Sequence, residues 1–303
     1  MYLPEKFYLS SDFMDADYLT GYVHSVFEQV INLEFMMQTY YGAERRMITL
    51  LQSGISMLPD SIVISRQLFL LIKNSNNCVI IKKGGMIYSK DLGVSICLPD
   101  THNIRFNFRN SKLLLNTERM KQLSADIRKF FLCTGRKDGF SLLPDIFQKH
   151  LENFVQALLT GSKIELASAF HRLVGAGIGL TPSCDDAMTG AMACISGYYL
   201  AKDAAGGIRS FMELTRFMIP FLEYKKVTTD VSSKYLKCAC RGQYSETLYS
   251  LVLLLYSTDS ESPDLLLTQL AAIGHTSGLD MLHGFETAME KIINHSERIS
   301  KRR

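Results

Sequence analysis

Asn116-Thr-Glu-Arg-Met-Lys-Gln-Leu-Ser-Ala-Asp-Ile-Arg-Lys-Phe-Phe131 is where the chain changes its period. Met120, Leu123, Ile127, Phe130 and Phe131 recur at intervals of three and four, the spacing of one helical face, with Asn116 or Thr117 placed to cap. Upstream, from about Tyr22 to Phe108, the apolar runs are short and rich in β-branched and aromatic residues. They include Ile62-Val-Ile-Ser65, Cys78-Val-Ile-Ile81, Val94-Ser-Ile-Cys-Leu98 and Ile104-Arg-Phe-Asn-Phe108. Leu58-Pro-Asp60, Asn74-Ser-Asn-Asn77 and Lys83-Gly-Gly85 punctuate them, which reads as strands of an antiparallel sheet or small barrel. Val23 to Asn32 fits a strand and also a helical stripe of Val23, Val26, Phe27, Val30 and Ile31; strand is preferred.

Downstream of Asn116, helical patterns follow at Pro144–Leu159, Ile164–Val174, Asp186–Ala201, Ile208–Phe221, Ser232–Cys240, Ser245–Tyr256, Asp264–Ile273 and Leu279–Ile293. Strands first and helices afterwards predict an α+β protein. An antiparallel β-rich, barrel-like region, residues 1–115, is expected to pack on an all-α helical bundle, residues 116–303.

The bulk composition excludes several classes. With 303 residues, 47% of them hydrophobic, the chain can bury a sizeable core without metal or disulfide. A net charge of +3 is too small to imply nucleic acid, and the basic run Arg298–Arg303 reads as a solvated tail. The seven cysteines are odd in number and contain no Cys-x-x-Cys, so a zinc knuckle or a thioredoxin-like centre is not indicated. Reduced cysteine in a cytoplasm is the expectation. The N-terminus lacks the basic region and apolar run of a signal peptide, and Leu248–Tyr256 is too short to span a bilayer.

Chemistry concentrates at three helix starts. The first is Gly175-Ala-Gly-Ile-Gly-Leu-Thr-Pro-Ser-Cys-Asp-Asp186. Gly175, Gly177 and Gly179 allow positive φ and close approach of a ligand to the backbone. Ser183 or Asp185 as a cap, with Asp186 favouring the dipole, accounts for one or two of these residues but not for the set. The spacing is not the dinucleotide fingerprint, and there is no Gly-Lys-Ser/Thr. What remains is a helix start offering backbone N–H groups to an anion, or carboxylates to a hard cation. The second start is Gly274-His-Thr-Ser-Gly-Leu-Asp280; Thr276 precedes Asp280 by four, as Thr181 precedes Asp185. His275 supplies the general acid or base candidate of the two loops. The third, Thr228-Thr-Asp-Val-Ser-Ser233, is also polar and also precedes a helix. The three starts are expected to converge on one pocket in the helical half. Gly190, Ala191, Ala193 and Gly197 mark the helix after the first loop as central, because small residues admit close neighbours.

Gly179-Leu-Thr-Pro-Ser-Cys-Asp-Asp186, Thr228-Thr229 with Ser232, and Gly274-His-Thr-Ser-Gly-Leu-Asp-Met-Leu-His-Gly284 together resemble a bacterial family that includes the AllH-type subunit of oxamate carbamoyltransferase. Val23-His-Ser-Val-Phe27 is similar to the family's N-terminal region. The resemblance covers nearly the whole chain and is specific from about Gly175 to Gly284. It implies a role in anaerobic allantoin (purine) breakdown, where oxalurate and phosphate give oxamate and carbamoyl phosphate, in a complex with FdrA-like and AllG-like subunits. His275, Asp185, Asp186 and Asp280 are then the catalytic candidates. Gly177, Gly179, Thr181, Ser183, Thr228, Thr229, Ser232, Thr276, Ser277 and Gly278 are the ligand-binding ones. The chain departs from the family pattern at Cys184, where the family has Gly; a side chain there is expected to narrow the loop or alter the substrate.

Carbamoyl transfer needs a phosphate site, a carboxylate site and donors for the charge on the carbamoyl oxygen. No Arg or Lys lies inside the three loops. Arg172 and Lys225 or Lys226 flank them, and a partner subunit or Mg²⁺ is the other source of positive charge. Two rival readings stand beside this one. One is a metal-dependent hydrolase with Asp185, Asp186, Asp280 and His275 as ligands. The other is a non-catalytic assembly subunit that binds a small carboxylate.

Overall fold

A computed structural model describes residues 1–39, 42–75, 78–99, 115–203, 206–224, 226–256 and 262–300. The chain divides into two compact units, Met1–Phe106 and Asn107–Arg303.

The first unit is an eight-stranded sheet in the order β1-β5-β4-β3-β2-β6-β7-β8, with β1 at Lys6–Tyr8, β2 at Tyr18–Val26, β3 at Val30–Thr39, β4 at Gly42–Gln52, β5 at Ser61–Ile64, β6 at Val79–Lys83, β7 at Met86–Ser89 and β8 at Val94–Cys97. The stretch that fits either period is strand: Val26 pairs with Ile31 across a tight β2–β3 turn. Among the described strands the pairings are antiparallel except β4 with β5, where Leu50 faces Ile62 in a parallel register. The sheet curls, because Tyr2, ahead of β1 at one edge, bridges Ile96 in β8 at the other. Two short helices, α1 (Ser11–Asp15) and α2 (Arg66–Lys73), pack on the sheet, and their Phe13, Leu68, Phe69 and Ile72 join Ile31, Leu33, Phe35, Leu50 and Ile80 in one core. The sequence period does not announce α2, since its eight residues lie between strand-like runs. The run at Ile104–Phe108 lies outside the described residues.

The second unit is helical: α3 Thr117–Thr134, α4 Asp145–Thr160, α5 Lys163–Leu173, α6 Ser183–Lys202, α7 Gly207–Thr215, α8 Met218–Tyr224, α9 Asp230–Cys240, α10 Glu246–Leu254, α11 Asp264–Ala271 and α12 Ser277–Ser300. Asn116 caps α3 by accepting from Arg119 N at 3.0 Å. The pattern at Ile208–Phe221 divides into α7 and α8 rather than running as one helix.

α6 is the centre of this unit. From Ser183 to Tyr198 every residue is buried, so the helix has no solvent face, as expected of one apolar or small on all sides. Two contacts make this possible. A β-carbon at Gly190 would collide with the carbonyl oxygen of Met281 in α12, and one at Gly284 of α12 would collide with the carbonyl oxygen of Ala187. The two helices therefore meet backbone to backbone, one turn beyond Asp186 and Asp280, which holds those two carboxylates in a fixed relation.

Candidate functional site

The three helix starts come together. Asp185, 1% exposed, accepts through Oδ1 from the backbone N–H of Gly175 at 2.8 Å, and through Oδ2 from Ser232 Oγ at 2.5 Å and from Thr228 Oγ1. Thr229 caps α9 by accepting from Ser232 N at 3.1 Å and donates to the carbonyl of Leu180 at 2.5 Å. Thr181 Oγ1 lies 2.7 Å from Ser277 Oγ, joining the first loop to the second. One carboxylate and two hydroxyls thus tie residues 175–185 to residues 228–232, and a hydroxyl pair ties both to the start of α12.

These polar groups are not spent on capping α6. Its cap position is Pro182, with no side-chain hydrogen bond, while Ser183, Asp185 and Asp186 lie inside the first turn and face other segments. A capping role, the plain account of such residues, is therefore absent at this helix.

Asp186 and Asp280 form a matched pair. The pattern Ser-x-x-Asp-x-x-x-Gly runs from Ser183 to Gly190 and again from Ser277 to Gly284. In each copy the serine faces the aspartate of the other: Ser277 stands by Asp186, and Ser183 by Asp280. The threonine ahead of each copy, Thr181 or Thr276, faces the aspartate of its own. The two glycines make the reciprocal backbone contacts described above. The relation is therefore Asp186 with Asp280, not Asp185 with Asp280 as the Thr-to-Asp spacing of four suggests; Asp185 has a different task.

The electrostatics follow from burial. Burial pushes the Asp186 carboxyl well above the usual carboxylate range, against the pull of the Thr181 and Ser277 hydroxyls. Asp280 is pushed up to about 6, again by burial first, with Phe140 N, Thr276 and Ser183 opposing it. Asp185 is raised less freely, because three donors counter its burial. Asp280 Oδ1 accepts from Phe140 N at 2.6 Å, whereas Asp280 Oδ2 and Asp186 Oδ2 are sealed from solvent without a hydrogen-bond partner. Hydroxyls of Thr181 and Ser277 hydrogen-bond to the Asp186 carboxyl and those of Thr276 and Ser183 to Asp280, yet these two oxygens remain unmatched. Buried polar atoms in folded proteins are nearly always paired, so two orphans at one site mark a place built for something else.

A fourth segment, which the sequence reading does not include, completes the site. Asp138-Gly-Phe140 sits against the start of α12, and a β-carbon at Gly139 would strike Ser183 Oγ while standing 3.1 Å from Thr276 Oγ1 and 3.2 Å from Asp280 Oδ2. His283 in α12 packs on the Phe140 ring and bonds Gln148 Oε1 at 2.8 Å. Arg136 donates to the carbonyls of Ala271 at 2.9 Å and His275 at 2.7 Å, pinning the loop ahead of α12. An isolated Gly between Asp and Phe is the only sequence signal these residues offer.

The remaining candidates sit at the rim. Gly177 and Gly179, at φ 114° and 112°, lie in an exposed stretch with Ile178 and Leu180; a β-carbon at Gly177 would come within 2.6 Å of Ser183 N. The His275 side chain is exposed, and Gly278 is buried against the Leu270 carbonyl. Among the described residues, Asp185, Asp186, Asp280 and His275 do not bring three ligand atoms within 4.8 Å of one another. Arg172 and Lys226 are exposed, and Lys225 lies outside the described residues. The Cys184 side chain points into the helical core, fully buried, where burial and the neighbouring Asp185 and Asp280 push its thiol up to about 12.

A curled sheet followed by a helical unit with paired Ser-x-x-Asp helix starts is matched by two family models. One, described as oxamate carbamoyltransferase subunit AllH, covers residues 173–289, which include all three helix starts; the other, the AllH family N-terminal domain, covers residues 5–112. No solved structure matches the chain. The chain belongs to the AllH family. No helix among the described residues is long and apolar enough to cross a membrane.

Proposed function

We propose that this protein is the subunit of a cytoplasmic oxamate carbamoyltransferase-type complex that holds the carbamoyl substrate, so that oxalurate and phosphate give oxamate and carbamoyl phosphate. The observation that carries the reading is the convergence of two helix starts on Asp185, joined to the third through Thr181 and Ser277, within the segment matched to the AllH subunit. Helix starts direct N–H groups and the positive end of the dipole at a bound anion, which suits a substrate carboxylate or phosphate. Thr181 and Ser277 add hydroxyls at the junction of two of these starts. Asp185 acts as a positioning residue, because its acceptor oxygens are engaged by Gly175, Thr228 and Ser232. His275, at the exposed edge, is the proton carrier of this reading. The partners are FdrA-like and AllG-like subunits, and they complete a site whose loops contain no Arg or Lys.

The test is reconstitution with those partners and measurement of carbamoyl phosphate formed from oxalurate and phosphate. Turnover is expected in the complex and is expected to collapse in Asp186→Ala. Unchanged turnover in a correctly folded Asp186→Ala complex would remove the catalytic role of this subunit. The rival four-ligand metal hydrolase is less well supported, since Asp185 is committed to its three donors and His275 stands exposed.

A further inference from the structure

The floor of the site contains a problem that hydrogen bonding within the protein does not solve. Asp186 and Asp280 are 3% and 0% exposed, and each has one oxygen sealed from water without a partner. Among the described residues, no Lys or Arg is ion-paired to either, and the neighbouring carboxylates act on Asp186 as like charges. A buried, unpaired carboxylate is costly enough that it takes up a proton or a counter-ion.

The surroundings favour a counter-ion over protons alone. Ser183 Oγ, Thr276 Oγ1 and Asp280 Oδ2 crowd together over residue 139, where a β-carbon would strike the serine oxygen and stand 3.1 and 3.2 Å from the other two. The Ser183 and Thr276 hydroxyls reach the Asp280 carboxyl, and those of Thr181 and Ser277 the Asp186 carboxyl, yet one buried oxygen of each aspartate stays unmatched. Among the described residues, the groups acting on Asp186 and Asp280 are carboxylates, hydroxyls and one backbone N–H, and the Cys184 thiol lies in the core. Such a set selects a hard cation of the magnesium, calcium or manganese class over zinc or copper. The Ser-x-x-Asp repetition supplies one carboxylate from each of two helices, and the contacts at Gly190 and Gly284 keep both in place.

We propose that Asp186 and Asp280, with Ser183 and Thr276, bind one hard divalent cation beneath the three helix starts. The ion neutralises the sealed carboxylates and supplies the positive charge that the loops lack. This inference rests on the carboxylate and hydroxyl geometry and stands whether or not carbamoyl transfer is the reaction.

The experiment uses the full-length chain after treatment with chelator and removal of the chelator. Mg²⁺, Ca²⁺ and Mn²⁺ are titrated separately at pH 7.5, following heat release and melting temperature, with native mass spectrometry to count bound ions. One equivalent of at least one of these ions is expected to bind and raise the melting temperature. Asp186→Asn and Asp280→Asn, which preserve side-chain shape, are each expected to weaken binding by about tenfold or more. Asp145→Asn, at an exposed helix start, is expected to bind as the native chain does. Absence of binding at millimolar concentration of all three ions overturns the proposal, as does binding indifferent to both substitutions. So does an ion-free chain that binds none of them at pH 7.5 and gains its stability on acidification to pH 5, since protons then hold the pair. These readouts are made without substrate or partner, so their failure leaves the carbamoyl-transfer reading to its own assay.

Discussion

Removing the Asp185 carboxylate tests whether the helix starts are held by one acceptor. In Asp185→Ala, the N–H of Gly175 and the hydroxyls of Thr228 and Ser232 lose their partner. Each buried donor left unsatisfied costs about 1–3 kcal/mol. Part of this is offset, because burial raises the Asp185 carboxyl and deleting it relieves that desolvation. The net loss is about 3–5 kcal/mol, the range found when one partner of a buried charged network is removed. For a unit of this size each kcal/mol lowers the melting temperature by about 2–4 °C, which gives a drop of about 6–20 °C. Asp185→Asn keeps a carbonyl oxygen for Gly175 and can donate to hydroxyls that rotate to accept, so its loss is about 1 kcal/mol. Thermal and urea unfolding of the full-length chain, followed by circular dichroism, read both variants. An Asp185→Ala chain melting within about 2 °C of the native one would refute the clamp. An Asn variant as damaged as the Ala variant would refute the claim that the shared acceptor is what matters.

Gly284→Ala drives a methyl into the Ala187 carbonyl, and at least about 3 kcal/mol of destabilisation or loss of soluble protein is expected in the same unfolding assay. Arg136→Ala removes two donors from the loop ahead of α12; faster amide exchange at 271–278 is expected, with exchange in α5 unchanged, as read by hydrogen–deuterium exchange. Cys133 is exposed, whereas Cys184 is buried with its thiol pushed up to about 12, so a thiol reagent at pH 8 should label Cys133 in the native state and spare Cys184 until unfolding. Mass mapping of labelled peptides checks this, and early modification of Cys184 would show that the first turn of α6 opens readily.

The period change at Asn116 reveals the division into strands and helices because apolar spacing reports directly on which face of an element is buried. It is silent where an element is short or closes on its neighbours in three dimensions. α2 has too few residues to establish a period, and the break between α7 and α8 lies within a continuous apolar pattern. The parallel pairing of β4 with β5 depends on register, which no local pattern encodes. At the site, the polar loops are visible as composition, yet their partnerships are not. Asp185 and Asp186 are neighbours in sequence, and only the three-dimensional arrangement separates the clamp from the carboxylate with an unmatched oxygen. Gly139 carries no chemical group of its own, so its contribution, the close approach it allows to Ser183, leaves no motif to read.

The way Asp280 is supported has a consequence for how the protein comes into being. Its carboxylate receives the Phe140 amide across 140 residues of chain, while Asp185 gathers donors from as far as Ser232. Contacts that join distant parts of a chain close late, because the intervening loop must first lose its freedom. During synthesis, the ribosome releases α6 well before α12 exists to cover it. A nascent chain stopped before residue 277 would therefore carry an exposed central helix and half a site, and it should be bound by chaperones rather than by ligand. Competence in this protein arrives with its last long helix.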